Sequence, residues 1–170
     1  MVHLPLQAVH YPHPEPKTLL TSSSLEDISK RIQNIKRWFP KDKLLNNHTG
    51  STFTSDYPAT KRLFEVLRKN GMIFVDSRTS ADTKAPLVAK EFHQKLLSRD
   101  IFLDNVADIN YIKNQLKKAV KIAKKRGYAI AIGHPHPKTL QALKSSVNIL
   151  TGVKPVYLST IYENARTTAK

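Results

Sequence analysis

The sequence predicts an α/β fold in which about six parallel strands are flanked by helices on the outside. Two observations lead to this prediction. Apolar runs of strand length alternate with longer stretches of helical period along the whole chain. Several of the short runs are continuously apolar, as strands buried on both faces must be. A length of 170 residues with 40% hydrophobic side chains suits one domain with a substantial core.

Each predicted strand is a short apolar run bounded by residues typical of turns. The strands are Val2–Gln7, Lys43–Asn47, Met72–Asp76, Leu96–Phe102, Tyr128–Gly133 and Pro155–Ser159. Helices are predicted over Leu25–Trp38, Pro58–Lys69, Ala85–Gln94, Ile109–Arg126 and Lys138–Leu150. The proline-rich and serine-rich segment His10–Ser24 has no period and is predicted to be a long loop, a feature that is uncommon unless it has a function.

Capping residues support the helix boundaries. Ser23 and Glu26, three residues apart, predict a capping box at the start of the first helix. Asp108 is the expected N-cap of the Ile109–Arg126 helix, and Gly71 and Gly127 are expected to end the two helices before them.

The charge of the chain indicates affinity for polyanions. It contains 28 basic and 13 acidic side chains, a formal net charge of +15. Nucleic acid, anionic lipid and anionic glycan would all be attracted, and charge alone does not choose among them. Much of the excess lies in the Ile109–Arg126 helix, and most of the lysines among its basic residues are expected on the solvated face. They are Lys113, Lys117, Lys118, Lys121, Lys124, Lys125 and Arg126.

Other function classes are excluded by composition. The absence of cysteine rules out disulfides, thiolate zinc sites and thiol nucleophiles. No apolar run is long enough to cross a bilayer, and the first residues lack the pattern of a signal peptide. A zinc site would need imidazole and carboxylate ligands, and the chain has seven histidines.

Titratable residues stand at the carboxyl ends of the predicted strands, where ligands bind in parallel α/β folds. They are His48, Asp76, Arg99, Asp100, Asp104 and His134, while His3 lies within a strand. Imidazoles and carboxylates together suit hydrolysis assisted by a divalent metal. Simpler roles are open as well: caps of the following loops for His48 and Asp76, and a local ion pair for Arg99 and Asp100.

Six segments follow one another along the chain: VHLPLQA, LLNNHTGSTFT, IFVDSRTSADTKA, SRDIFLDN, YAIAIGHPHPKTLQAL and VKPVYLSTIY. In sequence and order they resemble those of a known family, the divergent polysaccharide deacetylases. The resemblance implies a distorted and incomplete (β/α) barrel over residues 1–162, followed by a polar tail over 163–170. It also implies a deacetylase that removes an N- or O-acetyl group from an envelope polysaccharide with the help of a divalent metal, expected to be zinc.

The resemblance also assigns roles to particular residues. His3 and His48 correspond to metal ligands, His134 to the proton donor, and Asp76 to a base or orienting group. The candidate substrate contacts are Asn47, Ser51, Arg78, Arg99 and Asp100.

Two departures from the family pattern leave alternatives open. Gln7 stands where the family has an acid, and Thr49 where it has methionine. Family members begin with a further strand bearing paired aspartates, so an N-terminally incomplete domain is expected, and their export signals imply a periplasmic or envelope location. The second hypothesis is a noncatalytic glycan-binding relative. The third, a nucleic-acid-binding protein, depends only on charge, and no nucleic-acid partner is expected.

Overall fold

A computed structural model describes residues 1–10 and 12–167 of the protein. Every strand pair in this part of the chain is parallel, and helices alternate with strands, so the predicted α/β class is confirmed. The chain divides into two compact units, Met1–Ser98 and Arg99–Lys170.

The first unit contains a four-stranded sheet whose spatial order follows the chain. Its strands are β1 (Val2–Leu6), β2 (Leu44–Thr49), β3 (Ile73–Asp76) and β4 (Leu97–Ser98). Its helices are α1 (Leu25–Trp38), α2 (Ser51–Ser55), α3 (Tyr57–Lys69) and α4 (Ala85–Glu91). Strands connected by helices can pair in parallel because each helix returns the chain to the starting edge of the sheet.

One face of this sheet forms the core of the first unit. Leu4, Leu6, Leu45 and Phe74 alternate with residues of the other face and are fully buried. The apolar faces of α1, α3 and α4 belong to the same cluster. Because the strands are anchored by this packing, the loops at their carboxyl ends have fixed starting points.

The second unit contains a two-stranded parallel sheet, β5 (Ile101–Phe102) and β6 (Ala131–Ile132). Its helices are α5 (Ile109–Arg126), α6 (Pro137–Lys144) and α7 (Leu158–Thr167), with a 3₁₀ turn over Val147–Leu150. The buried residues Leu103, Ile112, Leu116 and Ala142 form its core.

Several predicted bounds change in the structure, and one helix was not predicted. The strand predicted over Leu96–Phe102 is two short strands, β4 and β5, because at the intervening Asp100 the carboxylate and the amide bind the backbone of Ile130. The helix predicted over Lys138–Leu150 ends at Lys144 and is followed by the 3₁₀ turn. The short helix α2 was not predicted.

The strand predicted over Pro155–Ser159 is wrong. Residues 153–157 are irregular, and α7 begins at Leu158. Pro155 has no N–H to donate to a ladder, and Leu158, Ile161 and Tyr162 recur at helical spacing. The predicted tail is therefore helical as far as Thr167, and residues 168–170 lie outside the described residues. No helix in the described part of the chain has the length and apolarity that crossing a membrane requires.

Candidate functional site

Asn47 holds together the loops that follow β2 and β3. Its side-chain amide donates to the carbonyl of Thr49 at 2.7 Å and to the Thr79 hydroxyl at 3.1 Å. Its Oδ1 accepts the Ser77 N–H at 2.8 Å. The side chain is buried and its polar atoms are occupied within the protein. Asn47, predicted as a substrate contact, therefore positions the backbone of both loops.

The backbone at these strand ends is in uncommon conformations. Thr49 and Arg78 have φ angles of 56° and 49°, which few non-glycine residues adopt, and a β-branched threonine least of all. Gly50 has φ 96°, and a Cβ there would lie 2.8 Å from the Cβ of Leu6. Such strain persists only where surrounding contacts impose it, and it is concentrated at functional sites.

His48 lies at the end of β2 and contacts the long loop. Its Nε2 is 3.0 Å from Oε1 of Glu15, and each side chain is about 40% exposed. The loop is also paired with β1, since Leu19 exchanges backbone hydrogen bonds with Pro5 and Gln7. The described part of the long loop therefore lies along the strand ends and supplies a carboxylate beside His48.

Gln7 forms hydrogen bonds with the same loop. Its Oε1 accepts hydrogen bonds from the N–H of Thr21 at 2.8 Å and from the Thr21 hydroxyl at 3.2 Å. A carboxylate at this position could accept the same two bonds, so the departure from the family pattern keeps the loop contact while removing a negative charge.

Asp76 is fully buried at the end of β3 and accepts two local hydrogen bonds. They come from the Arg78 N–H at 2.8 Å and the Thr83 hydroxyl at 3.1 Å. The Asp76 carboxylate thus caps its own loop, the simpler of the two roles considered for it.

Arg78, a predicted substrate contact, is exposed beside Asp76. Ser51 accepts a hydrogen bond from the N–H of Val9 at 3.0 Å.

In the second unit, Asp104 and His134 form a carboxylate–imidazole pair. Oδ1 of Asp104 is 3.0 Å from Nδ1 of His134, and Oδ2 accepts the backbone N–H of His134 at 2.6 Å. The Thr139 hydroxyl donates to the same oxygen at 2.9 Å. The carboxylate side chain is 2% exposed while the imidazole is 49% exposed. The protein therefore buries the orienting group and presents the ring to solvent.

Hydrogen bonding keeps Asp104 ionised. Burial by itself would raise the pKa of this carboxyl, but the bonds from the His134 N–H, the His134 ring and the Thr139 hydroxyl together lower it below its ordinary value. An ionised carboxylate only accepts, so Nδ1 of His134 carries a proton and Nε2 faces outward.

Aromatic groups surround the exposed imidazole. Phe102 stacks against the His134 ring with centroids 6.3 Å apart, and His136 lies on a tilted plane at 5.6 Å. The Arg99 guanidinium lies 3.8 Å from the centre of the Phe102 ring. Arg99, a predicted substrate contact, therefore packs on Phe102, which in turn stacks against His134.

Asp100 has a structural role in the second unit. It forms a two-pronged ion pair with Arg126 and accepts the Ile130 N–H at 2.8 Å. The pair joins the end of α5 to the residue before β5. Both carboxylate oxygens of Asp100, which is also a predicted substrate contact, are therefore engaged in contacts within the protein.

The predicted zinc ligands do not make up a complete site among the described residues. His3 is exposed and is paired in register with Asn46, whereas His48 is opposite Pro5, two positions further along the strands. No three histidine, aspartate or glutamate side chains converge within residues 1–10 and 12–167. Catalytic zinc sites have three protein ligands, so His48 and Glu15 alone do not fit one.

Three residues that form these contacts had no functional role assigned to them from the sequence. Asp104 was noted at a strand end, but its contact with His134 joins residues 30 positions apart. Glu15 and Thr139 gave no signal, because a loop glutamate and a helix threonine are ordinary at such positions. The position of Asp104 two residues after the end of a strand was the one usable clue.

The comparison with protein families decides the relationship. A family model described as "Divergent polysaccharide deacetylase" matches residues 1–162. The chain belongs to this family. The resemblance noted from the sequence is confirmed.

Similar proteins cover the chain almost completely. An uncharacterized protein of Haemophilus influenzae is 31% identical over 167 residues, which is 98% of this chain and 60% of that protein. The uncharacterized protein YibQ of Escherichia coli is 31% identical over 147 residues, 86% of this chain and 46% of YibQ. The chain thus spans about half to three fifths of the length of these relatives.

A solved structure supports the fold. The crystal structure of an uncharacterized protein from Agrobacterium tumefaciens C58 superposes with a TM-score of 0.81 at 23% identity. The match covers 94% of this chain and 66% of that protein.

Proposed function

We propose that the protein hydrolyses an N- or O-acetyl group on an acetylated polysaccharide of the cell envelope, and that His134 is the group that moves the proton. The observation that carries this proposal is the Asp104–His134 pair, in which a buried ionised carboxylate holds an exposed imidazole. Membership of the deacetylase family supports the choice of reaction.

The geometry of the pair suits general acid catalysis. With Nδ1–H directed at Asp104, the outward Nε2 can take a proton from the water molecule that attacks the acyl carbon. It can then deliver this proton to the leaving nitrogen or oxygen as the bond from that atom to the acyl carbon breaks, which releases acetate and a free amine or hydroxyl. The negative charge of Asp104 stabilises the imidazolium in between, in the manner of the aspartate in a catalytic triad. Phe102 restricts the ring orientation by stacking on it.

The expected zinc ion remains a prediction. A bound zinc would polarise the acyl carbonyl and lower the pKa of a water molecule. His48 and Glu15 are two potential ligands at the strand ends, fewer than the three of a catalytic site. The steps described above therefore use only Asp104 and His134.

Release of acetate from acetylated chitooligosaccharides and acetylated xylan tests the proposal. We expect His134→Ala to lower the rate by about 10²-fold to 10⁴-fold, the usual contribution of a positioned acid or base. Asp104→Asn should also lower it, because an amide no longer holds the Nδ1–H tautomer. His13→Ala and Asp82→Asn are controls of the same chemistry on exposed loop residues. Equal rates in His134→Ala and wild type would overturn the assignment.

A noncatalytic glycan-binding relative is the second candidate, and Gln7 favours it. The amide replaces a family acid and is engaged by Thr21. Retention of the chain by the same glycans with no acetate released would select this alternative.

A further inference from the structure

The solvent face of α5 is a row of lysines without acidic partners. Five of the six lysines in this helix are exposed, and Lys113 is half-buried. At about 100° per residue the six fall within an arc of about 140°. The ion pairs of the described residues involve none of them. We call this surface, Lys113, Lys117, Lys118, Lys121, Lys124 and Lys125, the lysine face.

Two other helices of the same chain pair lysines with acidic residues. In α1, Lys30 is 2.6 Å from Glu26, and in α3, Lys69 is 2.8 Å from Glu65, both at the favourable i, i+4 spacing. In α5 that spacing joins lysine to lysine from position 113 to 125, which destabilises a helix.

The helix dipole accounts for only part of the lysine face. Basic residues in the last turn, Lys124 and Lys125, are stabilised by the carboxyl end of the helix. Lys117, Lys118 and Lys121 lie one to two turns upstream, beyond the reach of that effect. An external anion would compensate the repulsion among them.

We propose that the lysine face binds an anionic polysaccharide, a chain with carboxylate or phosphate groups along it. The choice of a polysaccharide rests on the proposed function, and the charge complementarity rests on the helix. The face is about 18 Å long at 1.5 Å per residue, which suits several charges of an extended polymer. By binding the polymer, the lysine face would raise the local concentration of substrate without taking part in the reaction.

Two other polyanions fit the surface less well. Insertion into a membrane needs an apolar helix face, but Ile112, Leu116 and Val120 are buried in the protein's own interior. Single-stranded nucleic acid is bound by aromatic platforms and arginine, whereas the lysine face contains no aromatic side chain, and Arg126 beside it is paired with Asp100.

Binding of polygalacturonate by calorimetry at several salt concentrations tests the proposal, with neutral dextran as the reference polymer. The variant Lys117→Gln/Lys118→Gln/Lys121→Gln removes three charges and keeps good helix formers. We expect about tenfold or greater loss of affinity at low salt and a salt slope shallower by about one unit per lysine. The control Lys41→Gln/Lys90→Gln/Lys144→Gln removes three exposed lysines elsewhere and should bind as wild type.

Several results would overturn the proposal: equal affinity in the two triple variants, equal binding of dextran, or tighter binding of duplex DNA or phosphatidylserine vesicles than of polygalacturonate. Asp104→Asn should bind the polymer as wild type does. Wild type that binds the polymer but releases no acetate would count against the proposed reaction, whereas wild type that releases acetate but does not bind the polymer would count against the lysine face as a binding surface.

Discussion

Asp104 is the residue at which burial and chemistry are most closely linked. Its carboxylate accepts three hydrogen bonds while almost completely covered, which is the condition under which a charge is tolerated inside a protein. The same bonds fix the orientation of His134, so a structural need and a catalytic one are met by one contact.

Replacing Asp104 by asparagine should reduce the acid sensitivity of folding. Because its folded pKa is lowered, the stability it contributes is present above its unfolded pKa, near 3.8, and is lost as pH falls through the folded value. Asp104→Asn should cost about 1–3 kcal/mol at pH 7 and show a smaller further decline below pH 4. Denaturant unfolding across this range measures it. Equal declines of the free energy of unfolding at low pH in wild type and variant would contradict the expectation. Asp82→Asn is the control and should behave as wild type.

Gly50 is required by both its conformation and its surroundings. Gly50→Ala should destabilise the fold by about 2–4 kcal/mol, since it combines a positive φ with a collision against Leu6. Gly71→Ala is the matched control, because Gly71 also has a positive φ but nothing within 4 Å. It should cost only about 1 kcal/mol. Equal losses in the two variants, measured by denaturant unfolding, would show that the contact with Leu6 is relieved cheaply.

At the level of elements, the start of α1 shows how neighbouring residues compete for one role. Ser24 and Asp27 form the capping box, one residue later than predicted from Ser23 and Glu26. Both pairs have the right spacing, but the Ser23 hydroxyl accepts the Leu20 N–H and so belongs to the preceding turn.

Ser24→Ala should therefore destabilise the first unit by about 1 kcal/mol, as expected when the N-cap side chain is lost. Ser22→Ala, at an exposed loop position nearby, should change stability by less than about 0.5 kcal/mol. Thermal unfolding of both variants provides the measurement. A loss in Ser22→Ala as large as in Ser24→Ala would argue against the capping box.

For the whole molecule, zinc content after dialysis is the decisive measurement on the metal. The zinc prediction requires that wild type retains zinc, that His48→Ala loses it, and that His13→Ala keeps it. His48 is the informative ligand because it lies at a strand end beside the Glu15 carboxylate. Elemental mass spectrometry of the folded proteins measures the content. Folded wild type without zinc would contradict the prediction.

Local sequence alone determined the α/β class and the bounds of α1 and α5, which match the predicted ranges. Helical period, caps and the αL glycine at position 127 are all encoded within a few residues of one another. The same kind of pattern was insufficient for short apolar runs. The prediction over Pro155–Ser159 failed because a brief apolar stretch fits a strand and a helix start equally well.

Tertiary structure decided which strand-end residues meet. The sequence placed Asp76, Asp104 and His134 at the ends of strands, but only the fold showed that Asp104 holds His134, that Asp76 caps its own loop, and that Asp100 pairs with Arg126. Residues some 30 positions apart are brought together by strand pairing and helix packing, whose register depends on the whole core. Aspartates at similar positions in the sequence thus serve as an orienting group, a cap or a member of an ion pair, according to the residues that surround them in the fold.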